Sequence, residues 1–416
     1  MNGKRRGAAL WALLTAVLVA VAACSSSDSN SGTDAEALSG KPVVLGAICS
    51  CSGAQSATLG RLKDVFDTWA KSVNARGGAN GYPVKVIVED DGGDPARSLR
   101  AVRKLVEQDK VVAIVGDSSL VDATWADYVT EKDIPVVGGL SVESPFLTHP
   151  DFFITGAPVP VTTVGIWEAA KAAGKKKVGL LYCSETPVCA QLEGLGKAAS
   201  AIVGDVGIAT GKISATAPDY TAPCLALKDE GVDALFVAHN SEVVPRVTDS
   251  CAQQGFTPTV ISQTPTLGPS WLGHNGFDGA LLSSPTVLYT DESVPAVKEF
   301  LDALDTYYPD LRKSRQFTYD TIYPWASGKL FEAAAKAGNL GPDSTSADVK
   351  KGLYALKDET LGGIIPPTTF TEGQPAFPTC YFQAAIQGDK VVSLNKGATK
   401  CLTETQTTQL VQALKG

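Results

Sequence analysis

The chain has 416 residues, 44% of them hydrophobic and 19% charged, with 36 basic against 44 acidic side chains and a formal charge of −8. That length allows about two to three domains of ordinary size and a substantial core. The acidic balance leaves no basic face to displace counterions, which argues against a nucleic-acid partner.

At the start, Lys4, Arg5 and Arg6 precede an apolar stretch from Ala8 to Ala23, which closes with Val21-Ala22-Ala23-Cys24. Positive, apolar and small-residue segments in that order form an export signal. The apolar stretch, about 16 residues, is too short for a bilayer span, which needs ~20. The segment resembles the lipobox of bacterial lipoproteins. That implies removal of residues 1–23 and a lipid on Cys24, where two or more acyl chains give stable anchoring. Removing the three cations takes the formal charge from −8 to −11 over the remaining 393 residues. Residues 24–40 are Ser-, Asp- and Gly-rich and too polar to bury much surface, so they form a flexible tether. Its root-mean-square reach is roughly 20 to 24 Å.

From Pro42 onward, short β-rich apolar runs alternate with amphipathic stretches, the pattern of βαβ units around parallel sheets. Val43–Ala47 reads as a first strand. Gly60–Ala75 reads as a helix, with Leu62, Val65, Phe66, Trp69 and Val73 on one face and Gly77-Gly78 as its stop. Strand 84–88, helix 95–108 with proline in its first turn, strand 111–115, helix 121–131 and strand 135–137 complete a doubly wound unit. After 152–155 the pattern restarts. Helix 161–173, strand 178–182, helix 190–202 and a strand near Val206 come first. A helix capped by Asp219, strand 234–237, helix 242–254 and strand 259–261 follow. Beyond lie helices at 294–307 and 319–337, then a Gly- and Pro-rich tail with strands near 381–386 and 391–394. No short repeat is present, which excludes a solenoid. The basic run Lys175-Lys176-Lys177 falls in a solvated loop.

Of nine cysteines, one is assigned to lipid, leaving eight in a compartment that permits disulfides. Eight allow 105 pairings. Sequence-local pairing of Cys183 with Cys189 and of Cys380 with Cys401 is expected first. Cys224 with Cys251 would then join two helical segments, and Cys49 and Cys51 remain, whose spacing closes only a small, strained ring. A metal site is the rival assignment, but the three histidines, His149, His239 and His274, show no paired spacing.

In open α/β sheets ligands bind beyond the carboxyl ends of strands. The loops so placed are 49–55, 116–119 and 140–144 in the first unit, and 183–188, 239–242 and 262–266 in the second. They are rich in Ser, Thr, Asn and Gln, groups suited to hydrogen-bonding an anionic or zwitterionic small molecule. Gln55 belongs to this set. Gly116-Asp117-Ser118-Ser119-Leu120 looks like the serine block of GDSL-type esterases, which also need an Asp-x-x-His. The residues three before the histidines here are Phe146, Phe236 and Trp271, so the serine has no base and stays a weak nucleophile. The acidic run 90–94 lacks the final ligand of a calcium loop and reads as a turn before Pro95.

Ser52-Gly53, Asn74-Ala75-Arg76-Gly77-Gly78, Asn80-Gly81, Glu89-Asp90-Asp91 and Asp94-Pro95 resemble the opening domain of branched-chain amino-acid type solute-binding proteins of ABC transporters. Ile134-Pro135, Asp219-Tyr220-Thr221, Gly231-Val232-Asp233-Ala234 and Tyr319-Asp320 keep that family's order, and the likeness runs from about Pro42 to the C-terminus. The resemblance implies a type I periplasmic-binding fold, two doubly wound α/β lobes joined by a three-strand hinge. The lobes would be 41–156 plus 286–376 and 157–285 plus 377–416, closing over a small solute and presenting it to a membrane permease. It further implies that a ligand carboxylate meets Ser118, Ser119 and Ser141. Where the family commonly has tyrosines the sequence has Asn240 and either Thr186 or Pro187. Gln263 or Thr264 stands at the usual acid. An amide cannot neutralise an ammonium, so Glu143, Glu185 or Glu242 would have to. The expected protein is a monomeric, lipid-anchored, extracytoplasmic receptor for a small polar or amino-acid-like solute, with no enzymatic activity, cofactor or metal. A ligand sensor of the same fold is the alternative.

Overall fold

A computed structural model describes residues 38, 40–53, 56–140, 144–185 and 187–415. The export signal, Cys24, most of the tether and the candidates Gln55, Ser141, Glu143 and Thr186 lie outside the described residues.

The apolar runs form two sheets. In the first, β1 (Val43–Cys49), β2 (Val84–Asp90), β3 (Ile114–Ser118), β4 (Val136–Gly139) and β5 (Phe152–Phe153) are all parallel, in the order β2-β1-β3-β4-β5. The second repeats that order. Its β6 (Lys177–Cys183), β7 (Gly207–Ile213), β8 (Ala234–Ala238), β9 (Thr259–Gln263) and β10 (Leu281–Ser284) run β7-β6-β8-β9-β10 in parallel. Antiparallel β11 (Cys380–Gln387) and β12 (Lys390–Ser393) extend this sheet, and β13 (Lys400–Cys401) pairs with β11. The fold class is therefore the expected one. The central strands β3, β4 and β8 are buried at every residue, as strands covered by helices on both faces must be.

Helix Leu62–Ala75 turns its predicted apolar face inward, and Gly77 and Gly78 at φ of 101° and 77° end it. The long helix Ile322–Gly338 packs beside it, and the contact depends on a missing side chain. A Cβ at Gly328 would lie 2.2 Å from the Trp69 ring. Three expected helices are interrupted. Residues 95–108 form an α-helix over Pro95–Arg103 and then a wider π turn over Lys104–Gln108. Residues 121–131 split into a 3-10 turn, Asp122–Thr124, and a helix, Ala126–Glu131. Tyr319–Thr321 is a 3-10 turn ahead of Ile322. The structure also adds helices Ser346–Ala355 and Glu404–Lys415 in the tail, which the Gly and Pro content had concealed.

One core joins β1–β5 to Phe300, Trp325 and Phe331 of the later helices. The second sheet has a core on each face, one around Val244, Val247 and Trp271, the other around Val164, Trp167 and Leu180. The chain passes between the sheets after Phe153, after Ser284 and before Cys380. The first two passages are bonded to each other, Ala157 N donating to Pro285 O at 2.9 Å. Disulfides join Cys49 to Cys51, Cys183 to Cys189, Cys224 to Cys251 and Cys380 to Cys401. The third ties helix Thr221–Asp229 to helix Val243–Gln253.

Candidate functional site

At the carboxyl ends of β1, β2 and β3 a single buried carboxylate organises the first lobe. Asp91 accepts from Ser50 Oγ at 2.7 Å, Gly93 N at 2.7 Å, Ser98 Oγ at 2.9 Å and Ser119 Oγ. Four donors satisfy its lone pairs, which is what a buried carboxylate requires. Its neighbours are occupied too. Asp90 accepts from Ser52 N and Gly92 N, and its carboxyl sits below the usual range because these bonds and the Ser52 hydroxyl outweigh burial, which alone would raise it. Asp94 caps helix Pro95–Arg103 by accepting from Arg97 N at 2.6 Å. The acidic run is thus a hydrogen-bonded turn.

Ser119 is committed to Asp91, whereas the fully buried Ser118 hydroxyl has no hydrogen-bond partner among the described residues. In the second lobe Gln263 Nε2 donates to Thr163 Oγ1 at 3.0 Å, and Thr264 Oγ1 lies 2.8 Å from Ser284 Oγ. Gln263 is thereby tied to helix Val159–Ala172, and Thr264 to the end of β10 where the second passage begins. Glu185 accepts from Ala215 N at 2.6 Å and Ser214 Oγ at 3.0 Å, and the Ala215 N–H is the main reason its carboxyl is held down to about 2. His239 Nε2 is 3.4 Å from Glu185, yet burial pushes the imidazole below its ordinary value, which favours the neutral ring.

The lobes face each other across a cleft of about 750 Å³. Residues 239–242 after β8 and 265–270 after β9 line one side, and Thr58 and residues 315 and 318–320 line the other. Asn240 and Glu242 from the sequence candidates line it, whereas Ser118, Ser119, Gln263, Thr264 and Glu185 do not. Asn240 Oδ1 accepts from Glu242 N at 3.2 Å and Val243 N at 3.1 Å, which braces the turn ahead of helix Val243–Gln253, while its NH₂ stays unpartnered among the described residues. Trp271 Nε1 donates to Ser241 O at 3.0 Å and fixes the same loop.

Sequence reasoning did not select Arg315, Thr318 or Asp320. Their segment follows no strand, and only its Tyr319-Asp320 pair had a family match. Tyr319 is buried, and its hydroxyl accepts from Thr286 N at 2.8 Å and lies 3.2 Å from Ser284 Oγ. Burial pushes its phenol up. Beside it, half-buried Asp320 makes no side-chain hydrogen bond or ion pair among the described residues, and burial pushes its carboxyl up to about 7. Thr318 Oγ1 is likewise buried without a partner among the described residues. Hydrogen-bonding groups from two lobes around a partly open cleft suit a small solute, and the described residues that line it assemble no nucleophile with a base.

A two-lobed α/β body with such a cleft defines a solute receptor. The chain belongs to the periplasmic binding protein family, whose sequence model matches residues 42–390. An amino acid binding protein of Pseudomonas aeruginosa is 40% identical over 47 residues, a match that spans 11% of this chain and 13% of that protein. Among solved structures, an extracellular ligand-binding receptor from Verminephrobacter eiseniae superposes with a TM-score of 0.71 at 18% identity, covering 84% of this chain and 99% of that one. A fatty acid ABC transporter substrate-binding protein from Thermomonospora curvata gives 0.69 at 16% identity, covering 89% and 95%. The protein is a solute-binding protein of the extracytoplasmic space. Among the described residues no helix is long and apolar enough to cross a membrane.

Proposed function

We propose that this protein is the solute-binding component of an ABC importer, held at the bacterial membrane by lipid on Cys24 and working as a monomer beside its permease. It captures a small polar or amino-acid-like solute when lobe 41–156 plus 286–376 closes on lobe 157–285 plus 377–416. The carrying observation is the cleft, lined by Asn240 and Glu242 from one lobe and Thr318 and Asp320 from the other. A solute touching both sides has contacts that exist only in the closed form, so binding drives closure. Ser118, at the end of β3, and the loops that carry Gln55, Ser141, Glu143 and Thr186 supply further candidate contacts.

The protein has no catalytic role in this reading. His149 Nε2 is 3.1 Å from Asp127, His274 Nε2 is 3.1 Å from Asp249 and His239 faces Glu185, so every histidine is partnered away from Ser118 and Ser119.

The test is a thermal-shift screen of the mature chain against amino acids, amides and small carboxylates. A ligand at 100 times its dissociation constant adds ~2.7 kcal/mol to stability. A shift with one class supports the reading, and no shift from any of them overturns an amino-acid-like solute.

A further inference from the structure

We infer that Cys49–Cys51 is a thiol-exchange site: a low-molecular-weight thiol attacks Cys51, the bond to Cys49 opens, and the protein carries that thiol as a mixed disulfide. This chemistry stands apart from the solute-binding reading and goes beyond it.

Spacing makes this bond labile. The two cysteines are 2 apart in sequence, so the ring they close contains two planar peptide bonds and has few torsions left to adjust. A ring that small is strained, and strained disulfides are the more oxidising ones. The other three bonds span 6, 27 and 21 residues and carry no such constraint.

The local fold does not depend on the bond. Cys49 ends β1 and is paired on both sides, with Asp90 of β2 and Ser118 of β3. Ser50 N donates to Ser118 O at 3.0 Å, Ser50 Oγ to Asp91 at 2.7 Å, and Ser52 N to Asp90 Oδ1 at 3.1 Å. The residues on either side of Cys51 are therefore held by hydrogen bonds, and the loop keeps its course when the sulfurs part. Opening the ring relieves its strain without a loss of packing. Cys224–Cys251 is the contrast, since it ties two helices together and both its residues are fully buried.

Access decides which sulfur is attacked. Cys49 is 1% exposed, whereas Cys51 is half-buried and stands two residues from the exposed Gly53. Cys401 is exposed as well, but its bond spans 21 residues, so access there is not joined to ring strain.

The exchange balances with the thiol alone. The incoming sulfur bonds to Cys51 Sγ, the Cys51–Cys49 bond breaks, and its electron pair goes to Cys49 Sγ, which takes up the proton that the incoming thiol loses. Because the strand pairing keeps Cys49 beside Cys51, the step reverses when Cys49 attacks Cys51 Sγ and expels the thiol. A second thiol attacking the mixed disulfide releases the two thiols joined as a disulfide and leaves both cysteines reduced.

The test uses the full mature chain in buffers of stepped reduced-to-oxidised glutathione ratio, with acid quenching, alkylation by N-ethylmaleimide and peptide mass mapping. Cys49 and Cys51 should label first, at a ratio at least tenfold below that needed for any other pair, while the near-ultraviolet circular dichroism stays native. In C49S, which lacks the thiol that reverses the step, glutathione should accumulate on Cys51. In C51S the buried Cys49 should stay unmodified until urea unfolds the chain. Another pair opening first or together with this one overturns the inference, as does opening only with loss of the native dichroism. A folded C49S that takes no glutathione on Cys51 also overturns it; if urea unfolding shows that C49S does not fold, the titration of the parent chain decides. None of these outcomes bears on the receptor role, which the thermal-shift screen tests separately.

Discussion

The Tyr319 hydroxyl lies 2.8 Å from Thr286 N and 2.7 Å from Thr286 Oγ1, which ties the turn carrying Asp320 to the second passage between the lobes. Ser284 extends this network, donating to Thr286 O at 2.6 Å and lying 2.8 Å from Thr264 Oγ1 at the end of β9. A hydroxyl of one lobe thus holds the hinge backbone, and its sequence neighbour Asp320 lines the cleft.

Replacing Tyr319 with phenylalanine keeps the ring packing and strands a buried backbone N–H. The expected cost is about 1 to 3 kcal/mol in urea unfolding, together with weaker solute binding as the turn loosens. An unchanged unfolding midpoint would show that the network carries no weight.

Asp91 and Ser119 separate architecture from recognition. D91A leaves four donors without their acceptor and should cost at least ~3 kcal/mol. S119A removes one of those donors, costs about 1 to 3 kcal/mol and leaves solute affinity within about twofold, because its hydroxyl already belongs to Asp91. A large affinity loss in S119A with unchanged stability would reverse that assignment.

Asp320 also sets a pH dependence of the empty protein. Its carboxyl is raised from 3.8 to about 7, so the native state holds the proton more tightly than the unfolded chain does. The contribution is fully present below pH 4 and is lost as pH rises through 7. Relative to D320N, the parent should lose up to about 1.4 kcal/mol per pH unit between pH 5 and 7. Melting curves of both proteins across that range measure the widening gap, and parallel curves would contradict it.

The disulfides differ in expected weight through the loops they close. Cys224–Cys251 spans 27 residues, and removing it should cost about 3.5 kcal/mol in the chain-entropy account. Cys49–Cys51 spans 2, for which the same account gives about 1.2 kcal/mol. Paired alanine substitutions compared in guanidinium unfolding check the order.

Much of this fold is legible in the sequence because buried parallel strands are short Val-, Ile- and Leu-rich runs, and the helices between them carry one apolar face. Helix Ser346–Ala355 is missed although Thr345 and Asp348 form a capping box at its start, since the surrounding Gly and Pro dominate the reading. Asn240 is reachable from the rule that ligands gather at strand ends, and it lines the cleft. The same rule selects Ser119, Gln263 and Thr264. Each has the right chemistry for a ligand, but its hydrogen bonds run inward, to Asp91, Thr163 and Ser284. Composition does not say where a hydroxyl points. Asp320 escapes for the opposite reason: it follows no strand, and only the return of the chain across the second passage brings it to the cleft.

The central claim, that a solute sits between the lobes, is tested most directly by hydrogen–deuterium exchange on the mature chain with and without the compound giving the largest thermal shift. The account predicts new protection in residues 239–242, 265–270 and 315–320 together, since one solute touches both walls. Protection in one lobe alone, or in the outer groove beside Arg76 and Glu332, would contradict it.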